Sequence, residues 1–480
     1  MTVHNFIAID LGAGSGRAVL GQLADGRLSL SESCRFENVP VAMGGSLRWD
    51  IDALERGIRE GIERARAAAA DEDIHGIGVD SWGVDYVLLG PEGNAVSRPF
   101  HYRDHRTDGV MERVCEELGR LEIFRATGIQ FMPINTIYQL AAEDPDALER
   151  AERLLMIADY FALRLGGRVV QEITLASTSQ LMEPHSRRWA LDLADKIGLP
   201  ATLLPELVEA GTRIGDFDGI PLVATAAHDT AAAVAGCPGT GGDWAFLSSG
   251  TWSLLGVELD EPVLTEAALN ANLSNELGIC GTTRLLKNIC GLWPVQECRR
   301  EWAAAGQDYS WDELSALAEK ARPLRAVVDP DDRRFLAPES MATAIGDFCR
   351  ETGQAKPADV GQTVRVILEG LALKCRWVLG LLEEVTGKPL TTIHMVGGGV
   401  QNRLLCQLTA DATGRCVIAG PVEATASGNV LTQAMGLGVV GSMEEMREII
   451  RRSSELITYE PHPSAAWDDA YARLEQIIQE

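Results

Sequence analysis

Two stretches of this chain share one pattern: a hydrophobic segment, a turn of small residues, and a second hydrophobic segment. The first is FIAIDLGAGSGRAVL at residues 6–20, and the second is WAFLSSGTWSLLGVE at residues 244–258. Apolar runs interrupted by Gly and Ser are typical of two strands joined by a tight turn. Because the pattern occurs once in each half of the chain, it predicts an ancient duplication and two domains of related architecture.

The length of the chain agrees with two domains. A chain of 480 residues exceeds what one hydrophobic core usually accommodates. The stretch CPGTGG at residues 237–242 is the most linker-like part of the sequence. We therefore predict domains over residues 1–240 and 241–480.

Strand-like and helix-like segments alternate between the two hairpins and beyond them. Apolar residues at helical spacing predict helices over residues 51–69 and 363–385. A strand at the start of IHGIGVDSWGVDYVLLGPEGNAV is followed by an expected hairpin with the turn GPEGN, and TTIHMV predicts a strand that leads through GGG into a helix closed by Gly414. This alternation predicts an α/β fold with helices packed on a sheet.

Composition excludes several functional classes. Asp and Glu number 69 against 43 Lys and Arg, and the net charge of −26 repels nucleic acids and anionic membranes. We see no signal peptide and no apolar run of about 20 residues, the length that spans a bilayer. Ten cysteines without a CxxC pair or a His cluster predict reduced, mostly buried thiols in a cytoplasmic protein without a zinc site.

The turn GAGSG at residues 12–16 predicts contact with phosphate. Glycines allow a ligand to approach the backbone closely and expose N–H groups to its oxygens. A dinucleotide fingerprint would need Gly at position 17, which is Arg17, and no GK[ST] follows the turn. Asp10, at the end of the first strand, is a candidate Mg²⁺ ligand through water. A plain hairpin turn and a capping role for Asp10 remain alternatives.

Three further stretches place polar or small residues where a strand ends. In TAAHDTAAAVAG, Asp229 is a candidate general base at the start of a helix, where α/β folds bind ligands. A helix cap is the alternative for Asp229, and a purely structural role is the alternative for His228. The turn in LSSGTWS echoes the first hairpin, and MVGGGVQNRLL places glycines before a helix N-terminus, which favours negative charge.

Taken in order, these motifs resemble the FGGY family of carbohydrate kinases, and most closely its members that act on L-rhamnulose. The resemblance runs from residue 6 to about residue 429. The motifs that carry it are AIDLGAGSGRAVL, GIGVDSWGVDYVLL, YRDHRT, GIQFMPINTIYQL, HDT, LSSGTWSLLG, LLKNICGLW, HMVGGGVQN and AGPVEATASGN.

The resemblance implies a fold and a reaction. The fold is α/β with two ribonuclease H-like domains of the actin, Hsp70 and hexokinase type and a central cleft for ATP and sugar. The reaction is transfer of the ATP γ-phosphate to the C1 hydroxyl of L-rhamnulose, with Mg²⁺ as cofactor. The partners are then the sugar and MgATP, and the sequence leaves the oligomeric state open.

The resemblance also implies roles for particular residues. Asp229 is the catalytic base, and Asp10 is associated with Mg²⁺. The expected ATP contacts are Ala13, Gly14, Ser15, Gly16, Arg17, Thr251, Gln296 and Gly398. The expected sugar contacts are Gly83, His228, Asp229, Thr230 and Asn288. One position departs from the family pattern, because Leu175 in TLASTSQLM stands where these kinases commonly carry Asn.

Two other functions remain alternatives at this point. The chain could phosphorylate another ketose or polyol, of the fuculose, xylulose or ribulose type. It could also be an actin-like ATPase that senses sugar without phosphorylating it. A catalytic Asp in HDT separates the two classes, because a sensor needs no base there.

Overall fold

The computed structural model describes residues 2–70 and 73–479. Its strands are β1 (His4–Leu11), β2 (Ser15–Ala24), β3 (Arg27–Glu37), β4 (Val41–Met43), β5 (Ser46–Arg48), β6 (Ile74–Ser81), β7 (Tyr86–Leu89), β8 (Arg153–Met156), β9 (Val170–Glu172), β10 (Met182–Glu183), β11 (Arg188–Trp189), β12 (Glu206–Val208), β13 (Thr212–Phe217), β14 (Ile220–Ala224), β15 (Trp244–Ser249), β16 (Trp252–Leu259), β17 (Ser274–Leu277), β18 (Thr283–Cys290), β19 (Thr392–Val396), β20 (Cys416–Ala419) and β21 (Ile457–Tyr459).

The helices alternate with these strands, as the sequence predicts. They are α1 (Ile51–Ala68), α2 (Val110–Leu118), α3 (Arg120–Thr127), α4 (Thr136–Ala141), α5 (Pro145–Arg150), α6 (Ile157–Arg164), α7 (Ile173–Ala176), α8 (Leu191–Lys196), α9 (Asp229–Ala235), α10 (Glu266–Asn270), α11 (Trp293–Ala304), α12 (Trp311–Lys320), α13 (Met341–Glu351), α14 (Val360–Thr386), α15 (Arg403–Thr413), α16 (Ala424–Gly436), α17 (Met443–Ser453) and α18 (Ala465–Gln479). Within residues 2–70 and 73–479, every helix is too short or too polar to cross a lipid bilayer.

The chain folds into two compact units. The first runs to Pro238 and adds Glu258–Leu285 and Ala424–Ser454. The second comprises Gly239–Val257, Leu286–Glu423 and the chain from Glu455 onward. The domain boundary at residue 240 stays a prediction from the sequence.

The first unit is built on a sheet with the strand order β13-β14-β6-β1-β2-β3. Its strand β1 pairs antiparallel with β2 and parallel with β6. The side chains of β1 alternate between two apolar layers, because successive residues of a strand point to opposite faces. Ile7 and Ile9 pack in the layer that contains α1, whereas Phe6 and Ala8 pack in the layer that contains α16.

Helix α1 forms where its capping residue and its apolar spacing predict a helix. The Asp50 side chain accepts a hydrogen bond from the backbone N–H of Ala53 and caps the helix. The predicted apolar positions Ile51, Leu54, Ile58 and Ile62 are buried against the sheet. Burying each such side chain is worth roughly 1.5–3 kcal/mol.

The second unit repeats the strand order of the first. Its sheet contains β18-β16-β15-β19-β20-β21, in which β15 pairs antiparallel with β16 and parallel with β19. The order β18-β16-β15-β19-β20 therefore matches β3-β2-β1-β6-β14 position by position. Both predicted hairpins occupy the same place in their sheets, which agrees with the inferred duplication.

Two helices of the second unit end at the glycines that the sequence predicts. Helix α14 starts three residues earlier than expected, after the cap Asp359, and ends at Gly387 in the left-handed conformation. Helix α15 is closed by Gly414 in the same conformation. Glycine suits both ends because it has no Cβ to clash at positive φ.

One predicted element differs from the structure. The expected hairpin around GPEGN is reduced to a single bridge between Leu89 and Ala95, and β7 pairs instead with the distant β8. The turn itself forms, since the N–H of Gly90 donates to the carbonyl oxygen of Asn94 over 2.9 Å. A tight turn determines only which residues can pair, and packing selected β8 as the partner of β7.

Helices α9 and α16 contact each other through their backbones. A Cβ on Gly428 would collide with the carbonyl oxygen of Ala232, and a Cβ on Gly236 would collide with that of Ala424. Glycine at these positions lets the helices approach closely. The contact matters for the site described below, because α9 begins at Asp229 and α16 carries Asn429.

We expect Gly428→Ala to lower the free energy of unfolding by about 3 kcal/mol, because overpacking a buried contact costs about that much. Gly380→Ala is the matched control, since a Cβ there meets no atom within 4 Å. In that helix interior, alanine should raise the stability by about 0.5–1 kcal/mol. Urea denaturation followed by circular dichroism measures both changes, and equal effects of the two substitutions would contradict the close helix contact.

Candidate active site

The ends of three neighbouring chain segments meet at one edge of the first sheet. Asp10 of β1 lies directly beside Asp80 of β6, in parallel register. The N–H of Ser81 donates to the carbonyl oxygen of Ala227 over 2.8 Å, which joins the end of β6 to the segment before α9. This edge carries the carboxyl ends of parallel strands, where α/β folds bind ligands.

The first turn has the open backbone that a phosphate site requires. Ala13 and Gly14 lie between β1 and β2, and Ser15, Gly16 and Arg17 are the first three residues of β2. Asn38 ties the turn to the sheet, with its side-chain amide donating to the carbonyl oxygen of Gly12 over 2.9 Å. Gly14 is exposed, and a Cβ there would meet nothing within 4 Å.

Arg17 and Asp10 form an ion pair across the mouth of this hairpin. The Nε and Nη2 atoms of Arg17 donate to Oδ2 of Asp10 over 2.8 and 2.6 Å. The register explains the contact, because Asp10 and Arg17 are direct cross-strand partners. Asp10 is therefore neither a helix cap nor a simple turn residue.

Asp80 is a second acid that the motif analysis did not single out. Its Oδ2 accepts a hydrogen bond of 2.5 Å from Nδ2 of Asn429, and within the described residues its Oδ1 has no hydrogen-bond partner. Burial, and then the neighbouring Asp10 carboxylate, raise the pKa of Asp80 well above its usual value.

The Asp10 and Asp80 pair fits a divalent cation held partly through water. Mg²⁺ takes oxygen ligands, keeps several waters and commonly uses one or two carboxylates beside phosphate oxygens. The buried oxygen of Asp80 without a partner supplies the kind of atom that such a hydrated ion contacts. The described residues contain no group of three or more His, Cys, Asp and Glu side chains arranged for a metal.

Asp229 is the first residue of α9 and is about one-third exposed (32%). Its Oδ1 accepts hydrogen bonds from the backbone N–H of Thr230 over 2.6 Å and from Oγ1 of Thr230 over 3.2 Å. Burial, opposed by the nearby His228 and reinforced by Asp10, raises the pKa of Asp229. His228, and not Asp229, is the N-cap residue of α9, so Asp229 is the first residue of the helix and its carboxylate accepts hydrogen bonds from the adjacent Thr230.

A buried glutamate holds the segment before α9 in place. Oε2 of Glu172 accepts hydrogen bonds from the N–H groups of Thr174, Leu175 and Ala227 and from Oγ1 of Thr174. Oγ1 of Thr174 in turn accepts from the N–H of His228 over 3.3 Å. Burial raises the pKa of Glu172 to about 7.

Gly83 follows β6 and contacts Thr178 closely. A Cβ on Gly83 would lie 3.0 Å from Oγ1 and 3.1 Å from Cβ of Thr178. The next residue, Val84, has φ of +67°, which costs a β-branched residue about 1–3 kcal/mol. Hydrogen bonds from Val84 N–H to Thr178 Oγ1 and from Thr136 Oγ1 to the Val84 carbonyl oxygen hold that conformation.

Asp85 anchors the same loop from within the core. Its carboxylate accepts hydrogen bonds from the indole N–H groups of Trp49 and Trp82, over 2.6 and 2.9 Å, and from Nε2 of Gln139 over 2.9 Å. Burial raises the pKa of Asp85 to about 6. Leu175, the departure from the family pattern, is fully buried and contributes only backbone hydrogen bonds to this region.

The second unit holds Thr251, Gln296, Gly398 and Asn288. Thr251 lies in the turn between β15 and β16, and the neighbouring carbonyl oxygen of Gly250 accepts from the N–H of Leu292 over 2.8 Å. Gln296, one turn into α11, donates its N–H to the carbonyl oxygen of Leu292. These contacts bring the turn of Thr251 and the start of α11 together.

Gly398 belongs to the loop that follows β19. A Cβ on the adjacent Gly399 would collide with the side chain of Ser249, which ends β15. Since β15 and β19 are parallel neighbours, the loops of Thr251 and Gly398 lie at the same edge of the second sheet. Asn288 is half-buried within β18.

A buried lysine supports β18 near Asn288. Nζ of Lys374 lies 2.8 Å from Oδ1 of Asp329 and 3.1 Å from Oδ2 of Asp331. Oδ1 of Asp331 accepts from the N–H of Cys290 over 2.6 Å. Burial lowers the pKa of the neighbouring Lys287 to about 8.

Comparison with known proteins identifies the family of the chain. Residues 5–236 match the N-terminal domain, and residues 245–437 the C-terminal domain, of the FGGY family of carbohydrate kinases. The chain belongs to the FGGY carbohydrate kinase family.

Among relatives of this FGGY kinase are two rhamnulokinases. That of Bacteroides thetaiotaomicron is 43% identical over 489 residues, which cover 99% of this chain and 100% of the relative. That of Bacillus subtilis is 38% identical, with 95% of each chain covered. The family resemblance drawn from the motifs is confirmed.

Solved structures confirm the fold. A xylulose kinase from Lactobacillus acidophilus superposes with a TM-score of 0.82 at 16% identity, covering 99% of this chain and 97% of its own. The glycerol kinase of Plasmodium falciparum with ADP gives a TM-score of 0.80 at 14% identity, covering 99% and 98%. This FGGY kinase therefore has the two-domain, ribonuclease H-like fold of the actin type, as expected.

The sequence prediction missed several residues that support the site. Asp80 carries the same signal as Asp10, an acid at the end of an apolar strand, and could have been found in GIGVD. Glu172 lies 55 residues from Ala227, and Asn429 lies 349 residues from Asp80, so only the fold brings these pairs together. The roles expected of the named site residues stay predictions.

We expect Glu172→Gln to change how stability depends on pH. The raised pKa means that the folded state binds this proton more tightly than the unfolded state, so Glu172 contributes stability below about pH 4.5 that is lost as pH rises to about 7. Glutamine mimics the protonated acid. The free energy of unfolding of the variant, relative to wild type, should therefore rise by about 3 kcal/mol between pH 4.5 and pH 8.

Urea denaturation at both pH values measures this difference. The exposed Glu206 offers a matched control, because Glu206→Gln removes a carboxylate from a solvated position. The control should follow the wild-type pH dependence. A Glu172→Gln curve parallel to wild type would contradict burial as the cause.

Proposed function

We propose that this FGGY kinase transfers the γ-phosphoryl group of ATP to the C1 hydroxyl of L-rhamnulose, giving L-rhamnulose 1-phosphate and ADP in the breakdown of L-rhamnose. The geometry that supports this proposal is the carboxylate of Asp229, which starts α9 at the ligand-binding edge of the first sheet. The full-length identity with rhamnulokinases supports the choice of sugar.

Asp229 is the group proposed to take the proton of the reacting hydroxyl. As the C1 oxygen attacks the γ-phosphorus, its proton moves to Asp229 and the bond to the β–γ bridging oxygen breaks, which releases ADP. A positioned general base contributes roughly 10²–10⁴ in rate. Positioning and charge stabilisation supply most of the remainder in phosphoryl transfer.

The remaining roles are those that the family resemblance implies. We assign the sugar contacts to Gly83, His228, Thr230 and Asn288, together with Asp229. We assign the phosphates of ATP to the turn Ala13–Arg17 and to Thr251 and Gln296. Gly398 then lies beside the adenosine, where the absence of a side chain allows close approach.

We further propose that Mg²⁺ is the divalent cation of the reaction and that Asp10 holds it through water, beside Asp80. When bound, Mg²⁺ neutralises charge on the phosphates of ATP. The ion pair with Arg17 restricts the orientation of the Asp10 carboxylate. The partners of the protein are thus the sugar and MgATP.

Two alternative functions would require different things of Asp229 and the sugar site. A kinase for another ketose or polyol would keep Asp229 and change the preferred sugar. A sugar-sensing ATPase would bind ATP without needing a base in HDT. The cytoplasm is the compartment we expect, because ATP is available there and most of the ten thiols are buried.

Purified protein with MgATP should form ADP with L-rhamnulose faster than with L-fuculose, D-xylulose or D-ribulose. A coupled assay for ADP measures the rates, and NMR of the product identifies the phosphorylated carbon. EDTA should abolish the reaction and excess Mg²⁺ should restore it. Faster turnover of another sugar would overturn the substrate while leaving the kinase class intact.

Asp229→Asn should lower kcat by about 10²–10⁴ and leave the Kd for ATP within about twofold. The amide preserves shape and cannot accept the proton. Asp218→Asn, at an exposed position of the same unit, is the control and should retain full activity. Calorimetric titration with ATP separates the outcomes, since loss of ATP binding in Asp229→Asn would identify a structural role instead.

A further inference from the structure

His228 has a charged neighbour at each of its two ring nitrogens. Its Nε2 lies 3.3 Å from Oδ1 of Asp229. Its Nδ1 lies 3.2 Å from Oε2 of Glu276 and 3.3 Å from Nη2 of Arg284. The ring is buried, so these neighbours determine its orientation.

Glu276 and Arg284 form a buried ion pair behind the histidine. Nη2 of Arg284 lies 3.2 Å from Oε2 of Glu276, and the two side chains are 0% and 5% exposed. Burying two charges costs several kcal/mol per ion, and such pairs can often be replaced by apolar residues without loss of stability. Stability alone therefore does not account for the pair.

The pair is held rigidly within the first unit. Nε and Nη2 of Arg284 donate to the carbonyl oxygen of Leu277 over 3.2 and 3.1 Å, which fixes the guanidinium plane. Oγ of Ser274 donates to Oε1 of Glu276 over 3.3 Å. Neither side chain can rotate without breaking these contacts.

We propose that the Glu276–Arg284 ion pair is the positioning device for the catalytic base: it holds the His228 ring so that Nε2–H points at Oδ1 of Asp229 and leaves Oδ2 to accept the proton of the sugar hydroxyl. This inference rests on the role of Asp229 in the proposed function. Glu276 and Arg284 act through His228 and do not themselves touch the reacting atoms.

The chemistry of the ring explains why both members of the pair are needed. A neutral imidazole with its hydrogen on Nε2 needs a donor at Nδ1, and Arg284 supplies one. A charged imidazolium needs an acceptor at Nδ1, and Glu276 supplies that. Since Oδ1 of Asp229 is an acceptor near Nε2, the neutral ring with its hydrogen on Nε2 and the charged ring both have matching partners at each nitrogen.

The two oxygens of Asp229 then have separate tasks. Oδ1 accepts both hydrogen bonds from Thr230 and lies 3.3 Å from Nε2 of His228. Within the described part of the chain, no hydrogen bond reaches Oδ2. Concentrating the donors on one oxygen fixes the carboxylate plane and presents the other oxygen to the substrate, which is the alignment that general-base catalysis requires.

A double-mutant cycle tests the proposal. The variant Glu276→Gln/Arg284→Met removes both charges together, so that neither is left buried and unpaired. We expect kcat with MgATP and L-rhamnulose to fall at least about tenfold, with KM for ATP within about twofold. In a His228→Gln background, the same pair of substitutions should lower kcat no further, because the ring through which the pair acts is gone.

Equal losses of kcat in both backgrounds would show a structural role and overturn the proposal, as would full activity of the Glu276→Gln/Arg284→Met variant. The control is Glu258→Gln/Arg447→Met, which removes another largely buried ion pair of the same unit and should leave kcat unchanged. Should the Glu276→Gln/Arg284→Met variant fail to fold, Glu276→Asp keeps the charges but shortens the reach to Nδ1. It should lower kcat in the wild-type background and not in the His228→Gln background, and the opposite result overturns the proposal.

The same experiments separate failure of this inference from failure of the proposed function. If another sugar is the better substrate, the cycle is measured with that sugar and retains its meaning. Full activity of Asp229→Asn would remove the base and overturn both proposals. Loss of activity in Asp229→Asn, with equal effects of the pair in both backgrounds, would leave the base in place and overturn only the positioning role.

Discussion

The parallel pairing of β1 with β6 is the contact on which the first site depends. It sets Asp10 beside Asp80 and so confines two carboxylates to adjacent positions at one sheet edge. The two neighbouring carboxylates repel each other when both are charged, and burying them adds a desolvation cost. The protein offsets that cost with Arg17 at Asp10 and with Asn429 at Asp80.

That compensation links the site to the packing of the helices. Asn429 reaches Asp80 only because α16 lies close against the sheet and against α9, and this closeness requires Gly428. Nε2 of Gln433, one turn further along α16, donates to the carbonyl oxygen of Ile7 and to Oδ1 of Asn429. Gln433, Asn429 and Asp80 thus form a chain of hydrogen bonds inside an otherwise apolar layer. Through this chain, the packing of α16 against the sheet fixes the position of the Asp80 carboxyl group.

Local signals in the sequence predict much of this fold. The turn after β1, the cap of α1 at Asp50 and the ends of α14 and α15 at glycine each depend on residues within a few positions of one another. The partner of β7 was not predictable in this way, because β8 lies more than sixty residues along the chain and was selected by packing. Turn chemistry predicts where the chain reverses but does not select the strand that pairs.

The residues of the site likewise fall into those that local sequence predicts and those that only the fold reveals. Asp10, Arg17 and Asp229 stand out because polar residues interrupt apolar segments at strand ends. Glu172, Glu276 and Arg284 do not interrupt apolar segments in this way. The contacts that suggest a role for them are made with residues 48 to 56 positions away along the chain. Those contacts form only in the tertiary fold, and they cannot be predicted from patterns in a single sequence.

The charge of the whole chain bears on how such a site can take a polyanion. A protein with a net charge of −26 repels free ATP. Asp80 and Asp229 add less to this repulsion than exposed acids would, because burial raises the pKa of both. Backbone N–H groups can bind phosphate without requiring a positive surface, and this is the role proposed for the turn Ala13–Arg17. A divalent cation that travels with ATP lowers the charge of the ligand and satisfies the acid pair at the same time. The negative charge of the chain and the Asp10–Asp80 pair therefore both favour ATP in its metal-bound form over free ATP. This preference does not require a cluster of lysines to neutralise the phosphates.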